Sequence, residues 1–275
     1  MAFASLSAMA EVYEHGGLGD RKPERVAAAH YRLAHLQRTD PRGAWVALDG
    51  AEVVGVSLAL RRGSMWFLSL LAVATTHQAQ GIGRRLLDAS LGTAEGSQVA
   101  WILASPDPRA LRRYALAGFA PHPGYAAMGP LDRSLIPAGL DVRDGSWAAD
   151  ADLVEGVVTG LRGAPYGPDR AAMQAVGSPV LIAEDGAERG FAVLRPYGGV
   201  VSLGATSPAL ASRLLWRALA EDPADSVTVE WLTAQQQWAI DVALAARLAL
   251  LAGPSVCLRA GAAPMTPYLP GGAYG

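Results

Sequence analysis

The chain of 275 residues is 51% hydrophobic and 17% charged, with a net charge of −2. It therefore holds material for one or two packed domains, and its composition excludes a disordered chain. The charge balance gives no global basic field for nucleic-acid phosphates, and the single cysteine, Cys257, excludes an intrachain disulfide and a thiolate metal site. Met1–Ala10 is mildly apolar but has no basic start and meets Glu11 early, unlike a signal peptide. The uncharged stretch Gly63–Gly83 turns polar after Ala74, too short an apolar run for a membrane span. The expectation is a soluble cytoplasmic protein with no nucleic-acid, membrane or metal partner.

The predicted elements begin with a helix over Pro23–Leu36. Asp49-Gly50 between the apolar runs Trp45–Leu48 and Val53–Leu60 signals a β-hairpin. A strand follows at Met65–Val73, then a helix over Gly83–Gly92, next to which Ile82, Leu86 and Ala89 share one face. A strand at Val99–Ala104 leads to a helix over Pro108–Ala117, with Leu111, Tyr114 and Ala115 together, and a strand near Tyr125–Leu131 closes the series. This order predicts an α/β fold of the α+β kind with a mixed sheet.

The series then repeats. Asp49-Gly50-Ala51-Glu52 returns as Asp185-Gly186-Ala187-Glu188, and Arg85-Leu86-Leu87 as Arg213-Leu214-Leu215. Trp101-Ile102-Leu103 resembles Trp231-Leu232-Thr233, and Ala115-Leu116-Ala117-Gly118 resembles Ala243-Leu244-Ala245-Ala246. Four matches in one order and at nearly one separation point to two copies of a fold. The expected domains are residues 1–136 and 137–275, joined near Pro137-Ala138-Gly139.

Chemistry concentrates after the strand of the first copy, in Val73-Ala74-Thr75-Thr76-His77-Gln78-Ala79-Gln80-Gly81-Ile82-Gly83-Arg84. Glycines where a strand turns into a helix leave unpaired N–H groups at the positive end of the helix dipole, a seat for phosphate or pyrophosphate. A P-loop is excluded because the only lysine is Lys22, and a dinucleotide fingerprint because Leu86 stands where a third glycine is needed. The plainer alternative is a helix start that is merely glycine-rich.

The spacing of Val73, Gln78, Gly81 and Gly83 behind an apolar strand resembles the pyrophosphate loop of the GNAT (GCN5-related) N-acetyltransferases. Further on, Ser105-Pro106-Asp107-Pro108 precedes a helix that carries Tyr114 and ends in Gly118-Phe119, similar to that family's later motif. The likeness spans most of residues 20–131 and extends to tandem members of actinobacteria, whose ends the tail Pro267–Gly275 resembles. It implies acetyl-CoA as co-substrate, its pantetheine lying as a pseudo-strand beside the backbone of Leu71 and Val73. The pyrophosphate would rest on Gln78, Ala79, Gln80, Gly81, Ile82, Gly83 and Arg84, and an N–H near Ala72 would stabilise the oxyanion. Tyr114 would protonate the leaving thiolate, or else is a core residue under its helix. Asp107 stands where the family often has asparagine and would cap the helix.

A general base is not evident, since Met65–Ala74 holds no acid. Candidates are His77, His30, Tyr31, His35 and Glu230, each with a structural role as the alternative. The second copy lacks the loop: it reads Gly204–Leu210, with Ser207-Pro208 as an ordinary N-cap and N1 proline, and Val242 replaces Tyr114. It is expected to serve packing or to wall the acceptor pocket. The leading expectation is transfer of an acetyl group to a small-molecule amine by direct attack in a ternary complex. The alternatives are a catalytically silent CoA-binding or sensory protein and a protein or peptide N-acetyltransferase. Oligomeric state is left open.

Overall fold

A computed structural model describes residues 23–259 and 265–275; the segment Met1–Ala10, weighed above as a leader, lies outside them. The elements are α1 (Pro23–Thr39), β1 (Ala44–Asp49), β2 (Glu52–Arg62), β3 (Met65–Val73), α2 (Ile82–Leu91), β4 (Val99–Ala104), α3 (Pro108–Leu116), β5 (Phe119–His122) and β6 (Gly124–Pro130). They continue with β7 (Val142–Asp144), α4 (Ala151–Arg162), α5 (Pro168–Ala175), β8 (Val180–Asp185), β9 (Glu188–Leu194) and β10 (Val200–Ala205). The series ends with α6 (Pro208–Glu221), β11 (Ser226–Thr233), α7 (Gln237–Ala245), β12 (Ala249–Ala252), β13 (Ser255–Arg259) and β14 (Tyr268–Leu269). Both predicted Asp-Gly hairpins form, β1–β2 and β8–β9. The strand expected near Tyr125–Leu131 is preceded by β5, whose four residues lie between Gly118 and Pro123, too short for a period-2 pattern to register.

Two compact units are present: residues up to Ala100 together with Ala273–Gly275, and residues 101–272. In the first, β1, β2 and β3 form an antiparallel ladder. Leu33, Leu36, Val56, Leu58, Leu60, Trp66, Phe67 and Leu87 are buried there, apolar area that holds α1 and α2 to the strands. A Cβ on Gly55 of β2 would stand 2.9 Å from Leu86 Cδ1 and 3.2 Å from Ile82 Cγ2. Glycine at that position is what lets the start of α2 come down on the strand. The second copy repeats the device, for a Cβ on Gly190 would meet Leu214 Cδ1 at 2.7 Å.

The second unit contains an exchange of strands that the repeat alone did not predict. β13 lies between β4 and β5, pairing Cys257 with Ile102 on one side and with Pro121 on the other. Reciprocally, β6 lies between β11 and β12, pairing Ala127 with Val229 and with Leu250. The strand that follows β5 in the first copy and the one that follows β12 in the second are thus each inserted beside strands of the other. The junction expected near residue 137 is a boundary between similar stretches of sequence; the compact units part after Ala100. The remaining sheet of this unit has the order β14-β10-β9-β8-β7.

Candidate functional site

The loop between β3 and α2 is a built turn. A 3-10 turn covers Thr75–His77, and the Gln78 side chain folds back so that its Nε2 donates to the carbonyl of Val73 at 3.1 Å. His77 Nε2 pairs with Asp49 Oδ2 of the β1–β2 turn at 3.2 Å, while its Nδ1 lies 2.9 Å from Thr76 Oγ1. That hydrogen bond ties the loop to the hairpin.

Beyond the turn the backbone twice enters the left-handed region, at Ala79 (φ 63°) and Gly81 (φ 82°). Gly81 caps α2 without any side-chain hydrogen bond. The first helical bond is donated by Arg85 N–H to the Gly81 carbonyl at 3.1 Å. The amides of Ile82, Gly83 and Arg84 precede it and, by helix geometry, have no acceptor in their own helix. A Cβ on Gly81 would meet nothing within 4 Å among the described residues, which leaves open space at this helix start, while one on Gly83 would sit 3.7 Å from Val73 Cγ2. Open space, aligned N–H groups and a helix dipole fit a pyrophosphate. Arg84 is exposed and paired with Asp88 at 3.5 Å.

The ladder with β2 fixes which amides of β3 turn toward that strand and which turn away from it. Ala74 N–H donates to the Val54 carbonyl of β2 at 2.9 Å, and Ala72 is paired with Val56. Alternation along an antiparallel pair turns Ala72 N–H toward β2 and Leu71 and Val73 N–H away from it. The Ala72 amide expected for the oxyanion is thus turned toward β2, and the Leu71 N–H beside it is not. A bulge at Ser69, between Leu68↔Ala59 and Leu70↔Leu58, re-aims the strand just before this point. Sequence patterning gave no signal for it.

In the second unit Asp107 caps α3, accepting from Arg109 N–H at 2.8 Å and from the Arg109 guanidinium at 2.8 and 3.1 Å. The hydrogen bond from Arg109 holds its carboxyl below the usual range. Tyr114 is buried, with 6% of its surface exposed. Desolvation, with smaller contributions from Cys257 and Asp107, raises its pKa above the ordinary phenol value. Among the described residues its hydroxyl has no hydrogen-bond partner. Cys257 is a buried free thiol, pushed up by burial to about 11.

The other candidates divide by exposure. His30 and Tyr31 are exposed on α1, Glu230 is exposed on β11, and His35 is buried with its ring edge-on to Tyr274 at 5.8 Å. In the second copy Ser207 Oγ accepts from Leu210 N–H at 3.3 Å with Pro208 at N1, and Val242 is buried. That helix start is capped by its own side chain, where the first is capped by glycine alone. Among the described residues no group of three His, Cys, Asp or Glu is placed to hold a metal, and no helix is long and apolar enough to cross a membrane.

Comparison with known proteins gives a family match and a fold. Residues 9–119 match the model of the acetyltransferase (GNAT) family; no curated protein matches the chain. A Pyrococcus horikoshii structure, assigned provisionally as an acetyltransferase, has a TM-score of 0.79 at 15% identity, covering 99% of this chain and 93% of that one. A GCN5-related N-acetyltransferase from Kribbella flavida gives 0.57 at 17%, covering 93% and 70%. A tandem GNAT protein from the clavulanic acid biosynthesis pathway gives 0.54 at 17%, covering 94% of each chain. At these identities the likeness is one of fold, and the fold is that of GNAT domains in tandem.

Proposed function

With residues 9–119 a domain of the GNAT acyltransferase family, which takes its acyl group from acyl-CoA, we propose that this chain is an N-acetyltransferase. In this reading it uses acetyl-CoA and acts on the amine of a small molecule, with the chemistry in the first copy. The observation that carries the proposal is the helix start at Gly81–Arg84. Its amides lie at the positive end of α2 under open space, as a pyrophosphate requires.

From there the pantetheine arm runs along β3, held by the N–H groups of Leu71 and Val73 that face away from β2. Leu71 N–H also stabilises the negative charge that develops on the thioester oxygen as the amine attacks directly. The resemblance to the family makes Tyr114, in the second compact unit, the acid for the departing thiolate. A buried phenol whose pKa is raised stays protonated at neutral pH, and its hydroxyl, without a hydrogen-bond partner among the described residues, has a proton to give. Asp107 and His77 position the backbone, the first by capping α3 and the second by pinning the loop to Asp49.

One observation favours a second reading, a CoA binder without turnover: no general base is evident, since β3 has no acidic side chain and His77 Nε2 is already hydrogen-bonded to Asp49. An amine panel assayed for release of free thiol from acetyl-CoA, run beside calorimetry of acetyl-CoA binding, separates the two. Binding with amine-dependent thiol release supports the transferase. Binding without release for any amine supports the silent binder, and no binding refutes both.

A further inference from the structure

The second copy has the same ladder as the first, and something lies on it. β10 carries a bulge at Val201, where the pairing passes from Val200↔Leu194 to Ser202↔Val193. β3 carries its bulge at Ser69, and five residues beyond each bulge, just past the strand's end, an amide donates to the hairpin: Ala74 to Val54, Thr206 to Arg189. Leu203 and Ala205 therefore stand where Leu71 and Val73 stand. By the same alternation Gly204 N–H turns toward β9, and those of Leu203 and Ala205 turn away from it.

In the second copy both of these outward positions are engaged by the chain's own tail. Leu203 is paired with Leu269 of β14, and Ala205 N–H donates to the Pro267 carbonyl at 3.2 Å. β14 lies against β11 as well as β10, and these two strands, consecutive in the copy, belong to different sheets. The fit is close: a Cβ on Gly204 would stand 3.1 Å from Tyr268 Cδ2, and one on Gly271 2.7 Å from the Val201 carbonyl.

The seat is also furnished with buried polar groups. Tyr268 is 1% exposed and hydrogen-bonds to Tyr166 and Arg162. Tyr166 shares a further bond with Ser202, and the Arg162 guanidinium stacks 4.3 Å over the Tyr166 ring. Gln236 Nε2, on a side chain only 2% exposed, donates to the Met265 carbonyl, and Thr266 Oγ1 donates to the Gln235 carbonyl.

We infer that the slot between β10 and β11, the counterpart of the acyl-CoA slot proposed for the first copy, is a peptide-binding cleft filled by residues 265–271 of the chain. It takes an extended peptide by strand addition, with ladder bonds from Leu203 and Ala205 and a pocket for the Tyr268 phenol. While the tail is seated, the second copy has no open strand edge to offer a pantetheine arm. Loss of the phosphate loop and filling of the slot are then two halves of one conversion, from a cofactor site to a clamp for the tail.

The slot's meaning rests on the proposed function, but its occupancy is tested separately, by amide exchange followed residue by residue in the full-length protein. Leu203 and Ala205 are expected to be protected like Gly204. In Leu269→Pro, which removes one ladder donor, they should exchange at least ~10-fold faster while Gly204 and the β8–β9 amides keep their protection. Equal acceleration of all these amides would overturn the inference, because the tail would then not be a separable strand.

The wild-type protein titrated with acetyl-CoA gives a test that needs no variant. The protection of Leu203 and Ala205 should persist at saturation, with new protection at Leu71 and Val73. Unprotected Leu203 and Ala205 in the free protein, or their loss of protection as acetyl-CoA binds, would refute the filled slot. If acetyl-CoA binds nowhere, the proposed function fails, while protection at Leu203 and Ala205 still reports the seated tail.

Discussion

Gly81 and Gly83 share a motif but differ in structure, and the difference can be measured. Gly81 sits at φ 82°, a region where an L side chain costs about 1–2 kcal/mol. Nothing stands within 4 Å of its Cβ position, so Gly81→Ala would carry that conformational cost without a packing gain. If the backbone keeps its shape, the protein loses about 1–2 kcal/mol of stability, a fall of roughly 2–4 °C in Tm per kcal/mol for a chain of this size. If it relaxes to negative φ, the peptide planes flanking residue 81 rotate and the amides of Gly81 and Ile82 turn away from the phosphates. Either way the new methyl projects into the open space over the helix start. Acetyl-CoA affinity should fall about tenfold, equivalent to about 1.4 kcal/mol.

Gly83 is helical, and its Cβ would make an ordinary contact with Val73 Cγ2 at 3.7 Å. Gly83→Ala should therefore raise helix stability by up to about 1 kcal/mol and leave acetyl-CoA binding within about twofold of the wild type. Calorimetry with acetyl-CoA and thermal melts of the two variants make the comparison. Unchanged affinity in Gly81→Ala, or a larger loss in Gly83→Ala, would refute the assignment of the phosphate seat to this helix start.

Tyr114→Phe should keep acetyl-CoA affinity and lower kcat by about 10²-fold or more if chemistry limits turnover; an unchanged kcat with an active amine would return Tyr114 to the core. Because its pKa lies above the ordinary phenol value of about 10, the acid form persists through that pH. The kcat profile should therefore show no alkaline fall from this group below about pH 10. A fragment ending at Ile136 keeps β4 and β5 without β13, and β6 without β11 and β12, so it should be insoluble or molten by circular dichroism and light scattering. Asp150 accepts from Arg143 at 2.6 and 3.1 Å and from Ser146 N–H at 2.7 Å, and the Arg143 hydrogen bond lowers its pKa. Asp150→Asn should cost about 1–2 kcal/mol at pH 7. A depressed native pKa stabilises above the unfolded value of about 3.9 and is lost as pH falls through the native pKa, so the deficit should vanish in acid melts.

Local chemistry made much of the fold legible. The strand at Met65–Val73 and the strand at Val99–Ala104 match their expected limits, since uninterrupted apolar runs bounded by polar residues leave little choice of boundary. The second helix was legible to within a residue, expected from Gly83 and found from Ile82 with Gly81 as its cap. The direction of the Ala72 amide was not legible, for it depends on which residues of β2 the strand meets, and a slip of one residue would have reversed it. Nor was the role of His77, whose partner Asp49 lies in the hairpin turn 28 residues earlier.

Strand partners were the least legible feature, and the reason is physical. β6 and β13 are short strands that occupy corresponding places at the ends of two similar copies, and period-2 patterning says nothing about which neighbour a strand chooses. Each could complete its own copy or the other, with similar ladder bonds. In the fold each completes the other: β13 supplies Cys257 to the sheet of β4 and β5, close enough to Tyr114 to raise its pKa. The first copy's acid candidate thus owes part of its surroundings to a strand more than a hundred residues later in the chain. An exchange of this kind makes the copies inseparable without requiring the second to keep any cofactor chemistry. It accounts for a second copy that has lost its loop and its tyrosine while remaining apolar and well packed.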